Sequence, residues 1–192
     1  MTRTRTFGSC MLLAALWLAL PLRPVDAEEA AGAPSPRAVE AMRLLDSADL
    51  YQRQLGFLRL EALRETATVD RIRHYITDKD PDVRAYSLRA LAAIQGAQAV
   101  PTLLKALSDK HPRVRRSVIQ GLEPLVNSSP EILQIFISRL KDRNPQVRMA
   151  VIDALSRIAS PRAQEAILLH RRREHNRDVK RVLNATIKRL GW

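Results

Sequence analysis

A five-residue motif returns three times after its first appearance, at intervals of 31, 33 and 32 residues, and this period limits the fold more than any other feature of the chain. The copies are Asp80-Pro81-Asp82-Val83-Arg84, His111-Pro112-Arg113-Val114-Arg115, Asn144-Pro145-Gln146-Val147-Arg148 and Asn176-Arg177-Asp178-Val179-Lys180. Counted from each valine, apolar residues recur eight positions on (Leu91, Leu122, Leu155, Ile187) and eleven on (Ile94, Leu125, Ile158, Leu190). Five positions on stand Leu88, Ile119 and Ile152, with Asn184 as the exception. Seven on, the residue is small: Ala90, Gly121, Ala154, Thr186. Such steps lay one apolar face along an α-helix, and the small residue admits a neighbouring helix.

The helix starts have a physical cause. Proline in the first helical position has no amide hydrogen to leave unpaired, and its φ is already helical. Asp80 and Asn144 can accept an orphan amide bond as N-caps, His111 is a poorer cap, and Arg177 replaces the proline in the last copy. Capping is therefore expected to be good in two copies and weaker in two. Short turns at 95–97, 127–129 and 159–160 lead to second helices. These carry Val100, Leu103, Leu104 and Leu107, then Leu133, Phe136, Ile137 and Leu140, then Ile167, Leu168 and Leu169. A fainter earlier copy places Leu55, Leu60 and Leu63 on a first helix and Val69, Ile72 and Ile76 on a second. Residues 37–48, with Val39, Met42 and Leu45, predict a helix that covers the open N-terminal end.

Paired antiparallel helices with this period and an Asp-Pro-x-Val-Arg opening resemble HEAT repeats, above all the short bacterial kind of the phycobilisome-lyase type. The resemblance spans residues 50–190. It implies an all-α fold, a right-handed α-solenoid of about four and a half HEAT-like helical hairpins within residues 37–192. It implies little about function, because such repeats serve as scaffolds in unrelated proteins.

Charged residues share the register. The residue after each valine is Arg84, Arg115, Arg148 or Lys180, and five before each valine lies Asp78, Asp109, Asp142 or Glu174. The acids fall in the loops ahead of the helices and the bases in their first turns. This predicts a structural charge ladder between the loops of neighbouring repeats, with Arg favoured over Lys for bidentate pairing. The rival reading makes the bases a row that faces a ligand.

Composition narrows the function classes. The 192 residues hold one cysteine and six glycines, with aromatics at 4%. One cysteine gives neither a disulfide framework nor a thiolate zinc site. Few glycines disfavour a phosphate-binding loop, and few aromatics disfavour a base-stacking surface. The chain opens with basic Met1–Arg5, then an apolar run from Met11 to Leu20 ended by Pro21, then Val25-Asp26-Ala27. That is the layout of a secretory signal peptide over 1–27, cleaved after Ala27, with an uncleaved anchor as the alternative. A flexible lead-in over 28–36 follows. The mature chain has no cysteine, which suits an oxidising compartment, periplasmic or secreted.

The net charge of +12 is uneven. Residues 28–108 balance to zero, whereas 109–192 carry 18 basic and 8 acidic side chains. The basic C-terminal residues Arg171, Arg172, Arg173, Arg177, Lys180, Arg181, Lys188 and Arg189 form a candidate patch for an acidic partner. A solvated end cap is the plainer reading, since a terminal repeat needs a polar outer face. Arg172 stands where earlier repeats have Ile76, Leu107 and Leu140.

Catalytic and metal-binding constellations do not emerge. His74, His111, His170 and His175 include no pair at helical ligand spacing, and no His-Glu dipeptide occurs. No cofactor is expected. The reading is a non-catalytic, exported interaction scaffold with a protein partner, an acidic surface or an envelope polymer being the targets its charge suits. The alternatives are an accessory factor of lyase-like type that handles a chromophore or cofactor, and nucleic-acid binding if the chain is not exported.

Overall fold

Proline stands first in six of the helices, where its absent amide hydrogen leaves nothing unpaired. The computed structural model describes residues 32–158 and 160–192. The expected leader, its cleavage point and the start of the lead-in lie outside them. Ten α-helices follow in order: α1 Pro36–Leu44, α2 Leu50–Leu63, α3 Val69–Arg73, α4 Pro81–Gln95, α5 Val100–Ala106, α6 Pro112–Leu122, α7 Pro130–Arg139, α8 Pro145–Arg157, α9 Pro161–Arg173 and α10 Arg177–Leu190. Turns of 3₁₀-helix at Thr66–Thr68, Gly96–Ala99 and Glu123–Ser128 lead into α3, α5 and α7. No strand occurs among the described residues.

The first helices α2, α4, α6, α8 and α10 pack each on the next, and α3, α5, α7 and α9 form the second layer. This is the α-solenoid that the period predicts. The four motif valines are all buried, as are Leu88, Ile119 and Ile152 and the residues Leu91, Leu122 and Leu155. Each such side chain contributes roughly 1.5–3 kcal/mol by leaving water. A Cβ on Gly121 would sit 3.1 Å from the Cβ of Ala92, so the small residue does set the approach of α4 to α6.

Departures from the sequence reading have local causes. In the last repeat Asn176 accepts from the amides of Asp178 and Val179 at 3.0 and 3.1 Å without a proline to help, so three of the four motif copies form Asx caps rather than two. His111 makes no side-chain cap bond. Leu45, just past α1, is buried as expected, but on α1 itself the buried residues are Ala38 and Ala41 rather than Val39 and Met42. The reason is Gly56 of α2, whose missing side chain lets α1 come so close that a Cβ there would meet Ala41 O at 2.8 Å. In the first hairpin Phe57, not Leu55, fills the buried site. Leu169, expected among the apolar residues of α9, is 47% exposed.

Candidate functional site

The second helices end and the first helices begin along one edge of the solenoid, and the charged residues gather there. Arg84 of α4 donates from Nε and Nη2 to the carboxylate of Asp109 at 2.8 and 3.0 Å. Arg115 of α6 does the same to Asp142 at 2.8 and 2.7 Å, and Arg148 of α8 to Glu174 at 2.7 and 2.9 Å. Each arginine also donates Nη1 to its own preceding loop, at Asp78 O, Asp109 O or Asp142 O. Each acid in turn accepts the amide two residues on, at Asp80, His111, Asn144 or Asn176. One guanidinium thus aims at the next loop while held by its own, and the acid shapes the turn that starts the following helix.

Two members of the ladder behave differently. Arg53 of α2 faces Asp78 at 3.8 Å, a first rung that the sequence reading missed because Gln52 stands in place of the valine and no proline precedes it. Lys180 is exposed and makes no ion pair among the described residues.

The electrostatics follow from burial and pairing. Burial alone would raise the carboxyls of Asp109 and Asp142, but the arginine hydrogen bonds prevail and hold both below the ordinary carboxylate range. At Glu174 burial is likewise outweighed, by Arg148, the Asn176 amide and His170, and the carboxyl is lowered to about 2. His170 Nε2 lies 3.0 Å from Glu174 Oε2. Its pKa is lowered by burial, only partly offset by that carboxylate. His170 fills the inward place that Arg172 vacates, because α9 runs on to Arg173 and carries Arg172 out to solvent.

A cleft of about 650 Å³ opens at this edge, between the C-terminal ends of α7 and α9. Ile137, Leu140, Ala166 and Leu169 form its floor. Lys141, Arg143 and Arg173 stand around its mouth. On the opposite, first-helix face a depression of about 400 Å³ is polar, and two of its three arginines are paired, Arg89 with Glu61 and Arg157 with Glu123.

The structure divides the candidate basic patch. Arg171, Arg172, Arg173 and Arg177 gather where α9 turns into α10. Lys188 and Arg189 stand at the far end of α10, about 16 Å away at 1.5 Å per residue. Arg171 donates to Asn184 Oδ1 at 2.7 Å, Arg189 to Ser156 Oγ at 3.1 Å, and Arg181 lies 3.6 Å from Asp178. Arg177, Arg181 and Lys188 lie on the outer face of α10, opposite buried Val179 and Leu183, with exposed Lys180 to one side. Among the described residues no group of three His, Cys, Asp or Glu could hold a metal ion, and no helix is long and apolar enough to cross a membrane.

Comparisons with known proteins agree with the architecture. A family model of HEAT repeats matches residues 38–123 and 100–188. A solved structure of the complex of CpcE and CpcF of phycocyanin lyase from Nostoc sp. PCC7120 superposes with a TM-score of 0.62 at 23% identity, covering 78% of this chain and 96% of that one. An engineered protein superposes with a TM-score of 0.50 at 19% identity, covering 81% of each chain. No curated protein matches in sequence. At these identities the solved structures speak for the fold alone.

Proposed function

The chain belongs to the HEAT-repeat family, and from that architecture we propose that it is a non-catalytic scaffold, exported to the periplasm or beyond, that holds another protein. One observation carries the reading: how the buried charges are used. Arg84, Arg115, Asp142 and Glu174 are the charged residues buried among the described ones, and all four belong to the ladder. Catalysis draws on titratable groups whose interactions leave them poised to react. Here pairing holds each carboxylate ionised and each guanidinium locked. The buried hydroxyls of Ser87, Ser117 and Ser156 are likewise committed, donating to Arg84 O, Ala85 O and Asp153 O at 2.7–2.9 Å. What remains is a stiff frame with an exposed edge, the form in which solenoids bind partners.

Export rests on the N-terminal sequence and is tested by the first residue of the native protein. Glu28 supports it. Met1 or Thr2 contradicts cleavage; recovered from a soluble extract and not from membranes, it also contradicts export and brings nucleic acid back among the partners. The scaffold reading expects a complex of fixed stoichiometry in gently solubilised envelope, with a lone monomer at native concentration as the contrary result.

A second reading, an accessory factor that handles a chromophore, is favoured by the likeness to the phycocyanin lyase complex. That likeness weighs against the non-catalytic half of the proposal, while a two-chain neighbour supports a protein partner in either case. Titration with a free bilin separates the two. A saturable change in the visible spectrum would favour chromophore handling, and an unchanged spectrum the scaffold.

A further inference from the structure

Between the acid and the cap of each repeat stands a basic residue: Lys79, Lys110, Arg143 and His175, all exposed. Stacking brings these to one edge at about one interhelical spacing, roughly 10 Å apart. Adjacent loops are tied together there, since Arg143 donates to Lys110 O at 2.9 Å. Beneath this row the ladder is electrically neutral, each guanidinium facing a carboxylate, so the exposed bases set the sign of the edge. An acid, Asp80, accompanies Lys79, whereas the caps His111 and Asn144 bring no carboxylate, so Lys110 and Arg143 carry the positive excess of the row.

The row runs into the cleft at the ends of α7 and α9. Two carboxylates line that cleft, Asp142 and Glu174, and both are bound by ladder arginines. Lys141 and Arg173 make no ion pair among the described residues, and Arg143 contacts only a carbonyl. The floor is apolar, with Leu169 47% exposed. An exposed leucine in a concave site ringed by unneutralised cations marks a place for a ligand that is both oily and acidic.

We propose that this cleft and the basic row leading into it dock an acidic protein segment that carries one large apolar anchor. The anchor rests on Leu169, Ile137 and Ala166. Carboxylates beside it meet Lys141, Arg143 and Arg173, and the segment continues past Lys110. Charge complementarity decides for an acidic segment over a neutral one. No Phe, Tyr or Trp lines the cleft, which disfavours a stacked nucleic-acid base. The proposal rests on the scaffold reading and names the surface and the chemistry of its partner.

The test is selection of a random dodecapeptide display library on the full chain, with Leu169→Ser and Lys141→Glu/Arg173→Glu as comparison targets. Both changes are at exposed residues, and thermal melts of the variants are expected to match the parent. Enriched peptides are expected to place two or more Asp or Glu beside Leu, Phe or Trp. A fluorescent synthetic member should lose about tenfold in affinity on either variant and nothing on Lys188→Glu, at the far end of α10. Peptides that bind both variants as tightly as the parent overturn the surface and leave the scaffold reading standing. Phosphatidylglycerol vesicles that bind in place of peptides, and release from the same variants, overturn the occupant in favour of a lipid surface. Self-association abolished by Leu169→Ser overturns it in favour of a second copy. A parent chain that enriches nothing and binds neither vesicles nor itself overturns both the proposal and the reading beneath it.

Discussion

The rungs Arg115–Asp142 and Arg53–Asp78 use the same two residue types at the same place in their repeats. The inner one is bidentate at 2.8 and 2.7 Å, with side chains 5% and 3% exposed. The outer one is a single contact of 3.8 Å between side chains 18% and 20% exposed, and Arg53 Nε is buried without a partner. The difference lies in how each arginine is held. Arg115 is anchored by its own loop through Asp109 O at 2.9 Å, whereas Arg53 has no such bond. The loop before α2 is turned to other work: Asp46 there binds Arg71 and Tyr75. A guanidinium already fixed at one end loses little freedom when it pairs; a loose one loses more than the contact returns. A full rung therefore forms where the arginine is also held by its own loop, as Arg84, Arg115 and Arg148 are.

The largest expected effect breaks this contrast directly. Arg115→Met leaves Asp142 buried and unpaired, which costs about 3–5 kcal/mol. Arg53→Met should cost under about 1 kcal/mol, as partly exposed pairs do. Urea titrations of the two variants make the comparison, and equal losses would erase it. The double change Arg115→Met/Asp142→Leu sharpens the point. It removes both charges and should recover much of the loss, showing the penalty to be the stranded carboxylate rather than the missing attraction.

Next come the apolar contacts at centre and end. Leu122→Ala in α6 should cost ~2–5 kcal/mol, since α4 and α8 enclose it and cannot both collapse into the cavity. Leu183 of α10 is as fully buried, at 0% exposure, but among the described residues its helix packs chiefly against α8 and α9. Leu183→Ala is expected at the low end of that range because a terminal helix relaxes more easily. Thermal unfolding of the pair reads this, and a larger loss at Leu183 would place the weight of the stack at its end.

The last formed rung has its own signature in acid. Glu174 is lowered to about 2 from 4.5, so its contribution is fully present above pH 4.5 and is lost as pH falls toward 2. For a side chain this buried the contribution is on the order of 2–3 kcal/mol. His170 acts in the same direction at higher pH. Burial favours its neutral form, so stability declines as pH falls below the ordinary histidine value of 6.5. Stability measured from pH 7 to pH 3 should fall in the parent and fall less in Glu174→Gln. Identical curves would show that the acid transition lies elsewhere.

Much of this was legible in the sequence, for a physical reason. A period of about thirty residues with fixed apolar offsets favours stacked hairpins, and the valine register located much of the buried face of α4, α6 and α8 but missed the place four after each valine, where Ser87, Val118, Val151 and Leu183 are all buried. Arg84, Arg115 and Arg148 and their acids followed from the same register, because position within a repeat fixes position in space. What escaped depended on contacts across helices. Arg53 and Phe57 were hidden by Gln52, which breaks the motif while leaving the geometry intact. The outward turn of Leu169 depends on how far α9 extends, which the periodicity does not state. The division of the basic patch reflects the length of α10, along which residues near in sequence end up at opposite ends. The row Lys79, Lys110, Arg143 and His175 was present in plain sight, but single bases in separate loops become a surface only when the loops are stacked.

The smallest expected effect compares the two central helix starts. His111 and Asn144 precede Pro112 and Pro145 with nearly the same backbone, φ −90 and ψ 126 against φ −95 and ψ 127. Asn144 Oδ1 accepts from Gln146 N at 2.9 Å and from Val147 N at 3.4 Å. His111 accepts nothing from its helix, and its Nδ1 is buried without a partner. The backbone of His111 is thus already set for a cap that its side chain does not supply. His111→Asn should provide the missing acceptor to the first turn of α6 and remove a stranded nitrogen, for a gain of about 0.5–1 kcal/mol. In a chain of this length that corresponds to a rise of about 1–4 °C in Tm. A fall in Tm would mean that the imidazole packs to more effect than a cap, and that the two helix starts, alike in backbone, are held by different means.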